Sequence, residues 1–256
     1  MAGLRTVLFP KERRHTYYFL EHAQEFRPVY LDVDVDMTNV KLARQAYKSK
    51  GDTISYVTFL IHAISQVLRK YPEANSTIKH GFRPKMAYYS DITAKFTIDK
   101  VINDKRVVLS GLVSHSDRIG LKEIQQTVEH FRDHSFEELE EFAAVRKLQS
   151  LPLGIGQWVY NRVLNNLAKR EELQGTFCIT SLGHQPIQSF YPIISATVCF
   201  GVGTIEDKPV VRNGEIIVRP MMRLSLAFDH RAIDGGMAAD ILADVKTYVE
   251  NFAEER

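Results

Sequence analysis

No stretch of this chain has the length and apolarity of a membrane span, no charge of one sign predominates, and cysteine is nearly absent. The longest run without Asp, Glu, Lys or Arg, Leu173 to Ile205, is broken repeatedly by glycine, proline, glutamine and hydroxyl residues. A spanning helix needs about 20 consecutive apolar residues, so no membrane partner is expected. The N-terminus carries charge from Arg5 and Lys11 onward, without an apolar core of signal-peptide length, which predicts a cytoplasmic protein. Lys and Arg number 33 against 31 Asp and Glu, a net charge of only +2. Phosphate binding shows as a clustered basic surface, yet the short runs Lys11-Glu12-Arg13-Arg14 and Lys169-Arg170 each contain or adjoin acids, so no nucleic-acid partner is expected. Cys178 and Cys199 sit in apolar, strand-like runs and read as reduced and buried, a disulfide or reactive thiol being the other reading. Also missing are a glycine-rich nucleotide loop, a Gly-x-Ser-x-Gly nucleophile elbow, internal repeats and low-complexity linkers. What remains is 256 residues, 45% hydrophobic, enough to bury a sizeable core in one domain.

The most informative residues lie near the C-terminus: Asp229-His230-Arg231-Ala232-Ile233-Asp234-Gly235. Before them Leu224 to Phe228 alternates as a strand does, and after them Met237 to Val245 has apolar positions at helical spacing. His230 therefore stands at a strand end, where rigid elements position catalytic groups, and an ordinary histidine titrates near the pH at which a general base works best. Asp234 stands where a short carboxylate caps a helix and meets its dipole. By itself, a histidine followed four residues later by an aspartate is usually chance; the flanking strand, turn and helix give it meaning. No third ligand lies near His230 and Asp234, so no metal site is expected.

Periodicity predicts helices over 16–24, 57–70 and 120–131 and strands over 29–35, 85–89, 92–98 and 106–113. After residue 172 it predicts strands over 176–180, 197–202, 215–219 and 223–228, then a last helix to about Phe252. The fold class is α/β, a two-layer sandwich with a mixed β-sheet.

The heptad resembles the Asp-His-Arg-x-x-Asp-Gly signature of the catalytic domain of dihydrolipoamide acyltransferases of 2-oxo acid dehydrogenase complexes, whose fold is shared by chloramphenicol acetyltransferase. Gly175-Thr176-Phe177-Cys178-Ile179-Thr180-Ser181-Leu182-Gly183 resembles that family's Gly-Thr-Phe-x-Ile-Ser-x-Leu-Gly block. Gly201 to Val211, Val33 to Met37, Ser55 to Ala63 and Tyr71 to Asn75 follow its order, so the similarity covers most of residues 10–133 and 172–252.

The resemblance implies a chloramphenicol acetyltransferase-like fold and direct transfer of an acyl group from a thioester, coenzyme A being the expected donor, to a hydroxyl, amine or thiol. It implies His230 as base, Ser181 as hydroxyl donor to the oxyanion and Asp234 as organiser of the loop through an arginine, Arg13 or Arg14 by rough alignment. The other reading of Ser181 is a turn-forming serine before Leu182-Gly183. Thr180, Arg231 and His184 are secondary candidates; His62 and His115 read as structural or solvated. The family's site lies between subunits, which implies a homotrimer.

Two features depart from the pattern. Residues 134–171 read as an insertion whose Ile155, Trp158, Val159, Val163 and Leu164 line one side of a helix. Its readings are an extra helical hairpin, a lid or acyl-chain tunnel, or a membrane-surface or partner-docking helix. The family's Gly-Leu-Ile-Thr-Pro-Val-Val segment is replaced by Lys105 to Val113, and no lipoyl or peripheral-subunit-binding domain precedes the core. These departures favour a single-domain, freestanding acyltransferase, with no lipoyl group of its own, acting on a small-molecule or carrier-bound acceptor. The alternatives are a lipoamide acyltransferase core and a noncatalytic scaffold of the same fold.

Overall fold

The computed structural model describes residues 4–253. In chain order the elements are α1 (Arg14–Ala23), β1 (Pro28–Asp36), α2 (Thr38–Ser49), α3 (Tyr56–Leu68), β2 (Ser76–Lys79), β3 (Lys85–Tyr88), β4 (Ala94–Ile102) and β5 (Lys105–Val113). They continue with α4 (Leu121–Asp133), α5 (Ala143–Ser150), α6 (Leu153–Leu164), α7 (Leu167–Gln174), β6 (Phe177–Ser181), β7 (Val198–Arg212), β8 (Glu215–Asp229) and α8 (Gly235–Glu250). Six strands form one mixed sheet in the order β1-β8-β7-β6-β4-β5, in which β6 runs parallel to both β4 and β7; β2 and β3 form a separate hairpin.

Alternation along the central strands sorts their residues into two layers, because successive side chains point to opposite faces. Phe177, Ile179, Val198, Phe200, Leu224, Leu226 and Phe228 join the main core with residues of α3, α4 and α8. Cys178, Cys199 and Ala227 face the other way and pack with Phe26, Ile194 and Ala196. Cys178 stands opposite Cys199 across the β6–β7 ladder, and both thiols are free and buried. The hydrogen bond that Cys178 donates to Cys199, and then burial, push the Cys178 thiol up.

Two differences from the sequence reading have physical causes. The strands expected over 215–219 and 223–228 are one, β8, although Pro220 lies inside it. The Pro220 carbonyl accepts from Met37 N at 2.8 Å, on the side where β1 has just ended opposite Met221. A strand residue's N and O point the same way, so the missing proline N–H faces no strand and β7 loses no ladder bond. Beyond residue 202, β7 runs on to Arg212 and meets β8 through Asn213-Gly214, both at positive φ (52° and 83°), the conformation favoured in a two-residue hairpin turn. Helix α2 was not anticipated.

The insertion is a helical cluster of α5, α6 and α7 rather than a hairpin. It is tied to α1: Arg14 Nη1 donates to the carbonyls of Gln149 (3.0 Å) and Leu151 (2.6 Å), and any Cβ at Gly156 would collide with the Tyr18 hydroxyl. The expected apolar stripe on α6 is divided: Leu164 is buried, whereas Ile155 and Trp158 are 54% and 63% exposed. None of the described helices is long and apolar enough to cross a membrane.

Ahead of α1, buried Glu12 receives Lys105 Nζ at 2.8 Å and Asn103 Nδ2 at 3.2 Å, pinning the start of the chain to the β4–β5 hairpin. The Lys105 bond above all, then the Glu12 amide and Asn103, hold this carboxyl at about 2 instead of 4.5. A depressed carboxyl stabilises the fold fully above its unfolded value and loses that contribution as pH falls through the folded one. Glu12→Gln is therefore expected to be less stable than the parent at pH 7, the difference shrinking between pH 4.5 and 2. Denaturant titration at several pH values checks this; a difference unchanged across that window contradicts the assignment.

Candidate active site

Strand β8 delivers its last residue, Asp229, into a nearly sealed position (2% exposed), and the chain then turns outward through His230 into α8. Asp229 organises that turn. Its carboxylate accepts Arg231 Nε at 2.9 and 3.0 Å and Nη2 at 2.6 Å, together with the backbone amides of Arg231 (3.2 Å) and Arg27 (3.3 Å). Its backbone carbonyl accepts Ala232 N at 2.9 Å, and its amide donates to Thr197 O at 2.9 Å. Charge-assisted, forked hydrogen bonds of this kind fix orientation as well as adding strength.

His230 is the exposed product of this arrangement. Its backbone N–H donates to Arg27 O at 3.0 Å and its ring lies 5.6 Å from that of Phe228, while no residue described here hydrogen-bonds the imidazole. The backbone is held while the imidazole has no hydrogen-bond partner among the described residues.

Asp234 is the helix cap its position predicts, without the arginine that the resemblance implies for it among the described residues of its own chain. It caps α8, its Oδ1 accepting Met237 N at 3.0 Å, and among the described residues no arginine lies within ion-pair distance of it. Arg14 is committed to the insertion's carbonyls and Arg13 is exposed, so neither joins Asp234 within one chain. On this loop the buried carboxylate paired with an arginine is Asp229, and the arginine is Arg231. The signal was available: Asp229 directly precedes His230, and an aspartate ending an apolar strand must find partners when buried.

Ser181 ends β6. Its Oγ accepts Gly183 N at 3.2 Å, which leaves the hydroxyl hydrogen as a donor. Thr180 points to the other face and hydrogen-bonds Thr97 through the two hydroxyls. His184 is exposed on the following turn, closed by Gln185 N to Leu182 O at 2.9 Å.

The sheet register keeps Ser181 and His230 apart. Ser181 lies opposite Val202, and Val202 opposite Leu224, six residues before His230. At about 3.3 Å per residue this is a separation of about 20 Å along the strands, with two strand spacings across the sheet besides. An oxyanion donor must sit within about 3 Å of the reacting carbonyl that the base also serves, so Ser181 and His230 of one chain cannot serve the same carbonyl. Among the described residues no cluster of three or more His, Cys, Asp or Glu is arranged to hold a metal.

Comparison with known proteins identifies the family. The family described as 2-oxoacid dehydrogenases acyltransferase (catalytic domain) matches residues 5–137 and 157–255, so the unmatched segment is 138–156, narrower than the insertion read from the sequence. The dihydrolipoyllysine-residue succinyltransferase component of the 2-oxoglutarate dehydrogenase complex of Buchnera aphidicola is 26% identical over 86% of this chain and 46% of its own length. The dihydrolipoyllysine-residue acetyltransferase component of the pyruvate dehydrogenase complex of Bacillus subtilis is 26% identical over 83% of this chain and 42% of its own length. The chain thus spans somewhat less than half of these relatives. A probable dihydrolipoamide acetyltransferase from Listeria monocytogenes superposes with a TM-score of 0.74 at 22% identity, covering 100% of this chain and 98% of the other. Chloramphenicol acetyltransferase does so at 0.51 and 14%, covering 96% and 100%. These structures establish the fold.

The family match and these relatives overturn the expectation of a freestanding acyltransferase for a small-molecule or carrier-bound acceptor and favour its alternative, the lipoamide acyltransferase core. That expectation leaned on Lys105 to Val113, which is β5, an edge strand paired only with β4. An edge strand asks for alternation rather than one particular sequence, so its divergence says little about the reaction. With both matched segments spanning most of its length, this chain belongs to the 2-oxoacid dehydrogenase acyltransferase catalytic-domain family.

Proposed function

We propose that this chain is the acyltransferase core of a 2-oxo acid dehydrogenase complex, exchanging an acyl group between coenzyme A and the thiol of a dihydrolipoyl group. The observation that carries the reading is the pairing of a locked loop presenting His230 with a donor-competent Ser181 hydroxyl at the far end of the same sheet. In a homotrimer the His230 of one subunit meets the Ser181 of the next, which completes the site that one chain leaves divided.

His230 removes the proton of the attacking thiol, and the thiolate adds to the thioester carbonyl, whose electron pair moves to oxygen. Ser181 donates a hydrogen bond to that oxyanion. Collapse of the tetrahedral intermediate re-forms the carbonyl, breaks the bond to the departing sulfur and returns the proton from the imidazolium to the leaving thiolate. No covalent acyl-enzyme is formed. Asp229 and Arg231 take no proton; they hold the backbone from which the imidazole projects.

The test is chromatographic detection of S-acyl-dihydrolipoamide after incubating the protein with dihydrolipoamide and acetyl-, succinyl- or branched acyl-CoA. Formation with at least one donor, and none when an amine or alcohol replaces dihydrolipoamide, is expected. Transfer to an amine or alcohol alone, or to no acceptor at all by a folded trimer, overturns the proposal.

A further inference from the structure

Behind the His230 loop lies a semi-enclosed cavity bounded by His22 and Phe26, by Thr77 of β2, by Arg170 and Gln174 of α7, and by Ser195. It has room for little more than one water-sized ligand.

Two buried cations border it without a carboxylate against either among the described residues. Arg170 is 6% exposed. Its Nε donates to Leu164 O and its Nη1 to Thr77 Oγ1 and Ile78 O, each at 2.9 Å, while its buried Nη2 has no hydrogen-bond partner. Lys95 is 7% exposed; its ammonium donates to Gln174 Oε1 and lies 5.2 Å from the centre of the Phe19 ring. Among the described residues neither cation has a carboxylate within 4 Å. The nearby acids are engaged elsewhere: Asp229 by Arg231, Glu171 by Thr93, and Glu25, which is half exposed, by His22 at 3.9 Å. The thiols of Cys178 and Cys199 adjoin Lys95 on the sheet but do not line the cavity. Buried cations are ordinarily paired, and an orphaned buried donor asks for an acceptor.

We infer that this cavity binds a small monovalent anion of the halide class, chloride in the first instance, held by the free Nη2 of Arg170 within the positive field that Lys95 extends through Gln174. Its size excludes phosphate, nucleotide and acyl carboxylates. Gln174 carries the inference from one cation to the other: its carbonyl faces Lys95, while its amide donates to Tyr160 Oη at 2.8 Å. The site also touches the catalytic loop, because Phe26 lines the cavity while its ring lies 5.6 Å from the Arg231 guanidinium that locks Asp229. An occupied cavity therefore braces the wall against which the His230 loop is folded.

Bromide serves as the probe. Crystals of the intact protein soaked in sodium bromide are expected to show an anomalous peak beside Arg170 Nη2. In solution, sodium chloride or bromide at about 100 times the dissociation constant raises the melting temperature by roughly 5–10 °C over sodium gluconate of equal ionic strength. Gln174→Glu, which places a fixed carboxylate in the cavity wall, is expected to remove most of that halide dependence while folding without halide. Because Arg170→Gln risks misfolding through loss of three carbonyl and hydroxyl contacts, the wild-type crystal decides: a cavity without an anomalous peak, or melting that follows ionic strength alone, overturns the inference.

Discussion

Alanine in place of His230 is expected to lower acyl transfer by about 10²–10⁴-fold, the range for loss of a positioned general base, without unfolding the protein. The side chain is exposed and hydrogen-bonds none of the described residues, so its removal opens no cavity and orphans no buried group among them. Alanine in place of Ser181 is expected to lower transfer by ~10²–10³-fold through loss of one oxyanion donor. Mixing tells more than either variant alone. If each site takes His230 from one subunit and Ser181 from its neighbour, random co-assembly of the two inactive proteins rebuilds about one site in four, because a heterologous interface combines the intact residue of each. Co-expressed variants should then show about a quarter of wild-type activity. A mixture no more active than its parents would place both residues in one chain's site, contrary to the separation imposed by the sheet register.

The second large effect is on folding. Asp229→Ala removes the acceptor of two guanidinium nitrogens and two backbone amides at a position 2% exposed. Breaking a buried pair from one side costs about 3–5 kcal/mol, and the lower end is expected because the Arg231 side chain retains 24% exposure to water. Asp234→Ala removes only a helix cap on the surface, worth about 1 kcal/mol. Denaturant titration of the two variants, with activity measured where both are folded, ranks them: Asp229→Ala should lose more stability and also activity, since the backbone presenting His230 loses its lock. The reverse order would return the organising role to Asp234, acting through an arginine of another subunit.

These two expectations mark what was legible. The strand, turn and helix around Asp229 to Gly235 were readable because alternation, then Gly235-Gly236, then helical spacing follow one another within about 20 residues. His230 and Ser181 stood out because the residues around them carried a family signature. Asp229 was passed over because its neighbour was the more reactive group, and a carboxylate's burial is not written in its identity. Ile155 and Trp158 fall on one side of a helix by periodicity, which tells which residues share a face, not which way that face turns; Tyr18 against Gly156 decides the direction.

By itself the sequence determined the local elements, the mixed α/β class and the kinds of groups available for chemistry, because dihedral preferences and hydrophobic period act over a few residues. Tertiary structure decided what depends on register and burial. It alone sets Ser181 and His230 at opposite ends of the sheet, joins Asp229 to Arg231, and leaves Arg170 and Lys95 buried with no carboxylate within 4 Å among the described residues. Each of these is a long-range pairing, and electrostatic free energy depends on the distance between charges and on the water around them, neither of which is a property of residues one at a time.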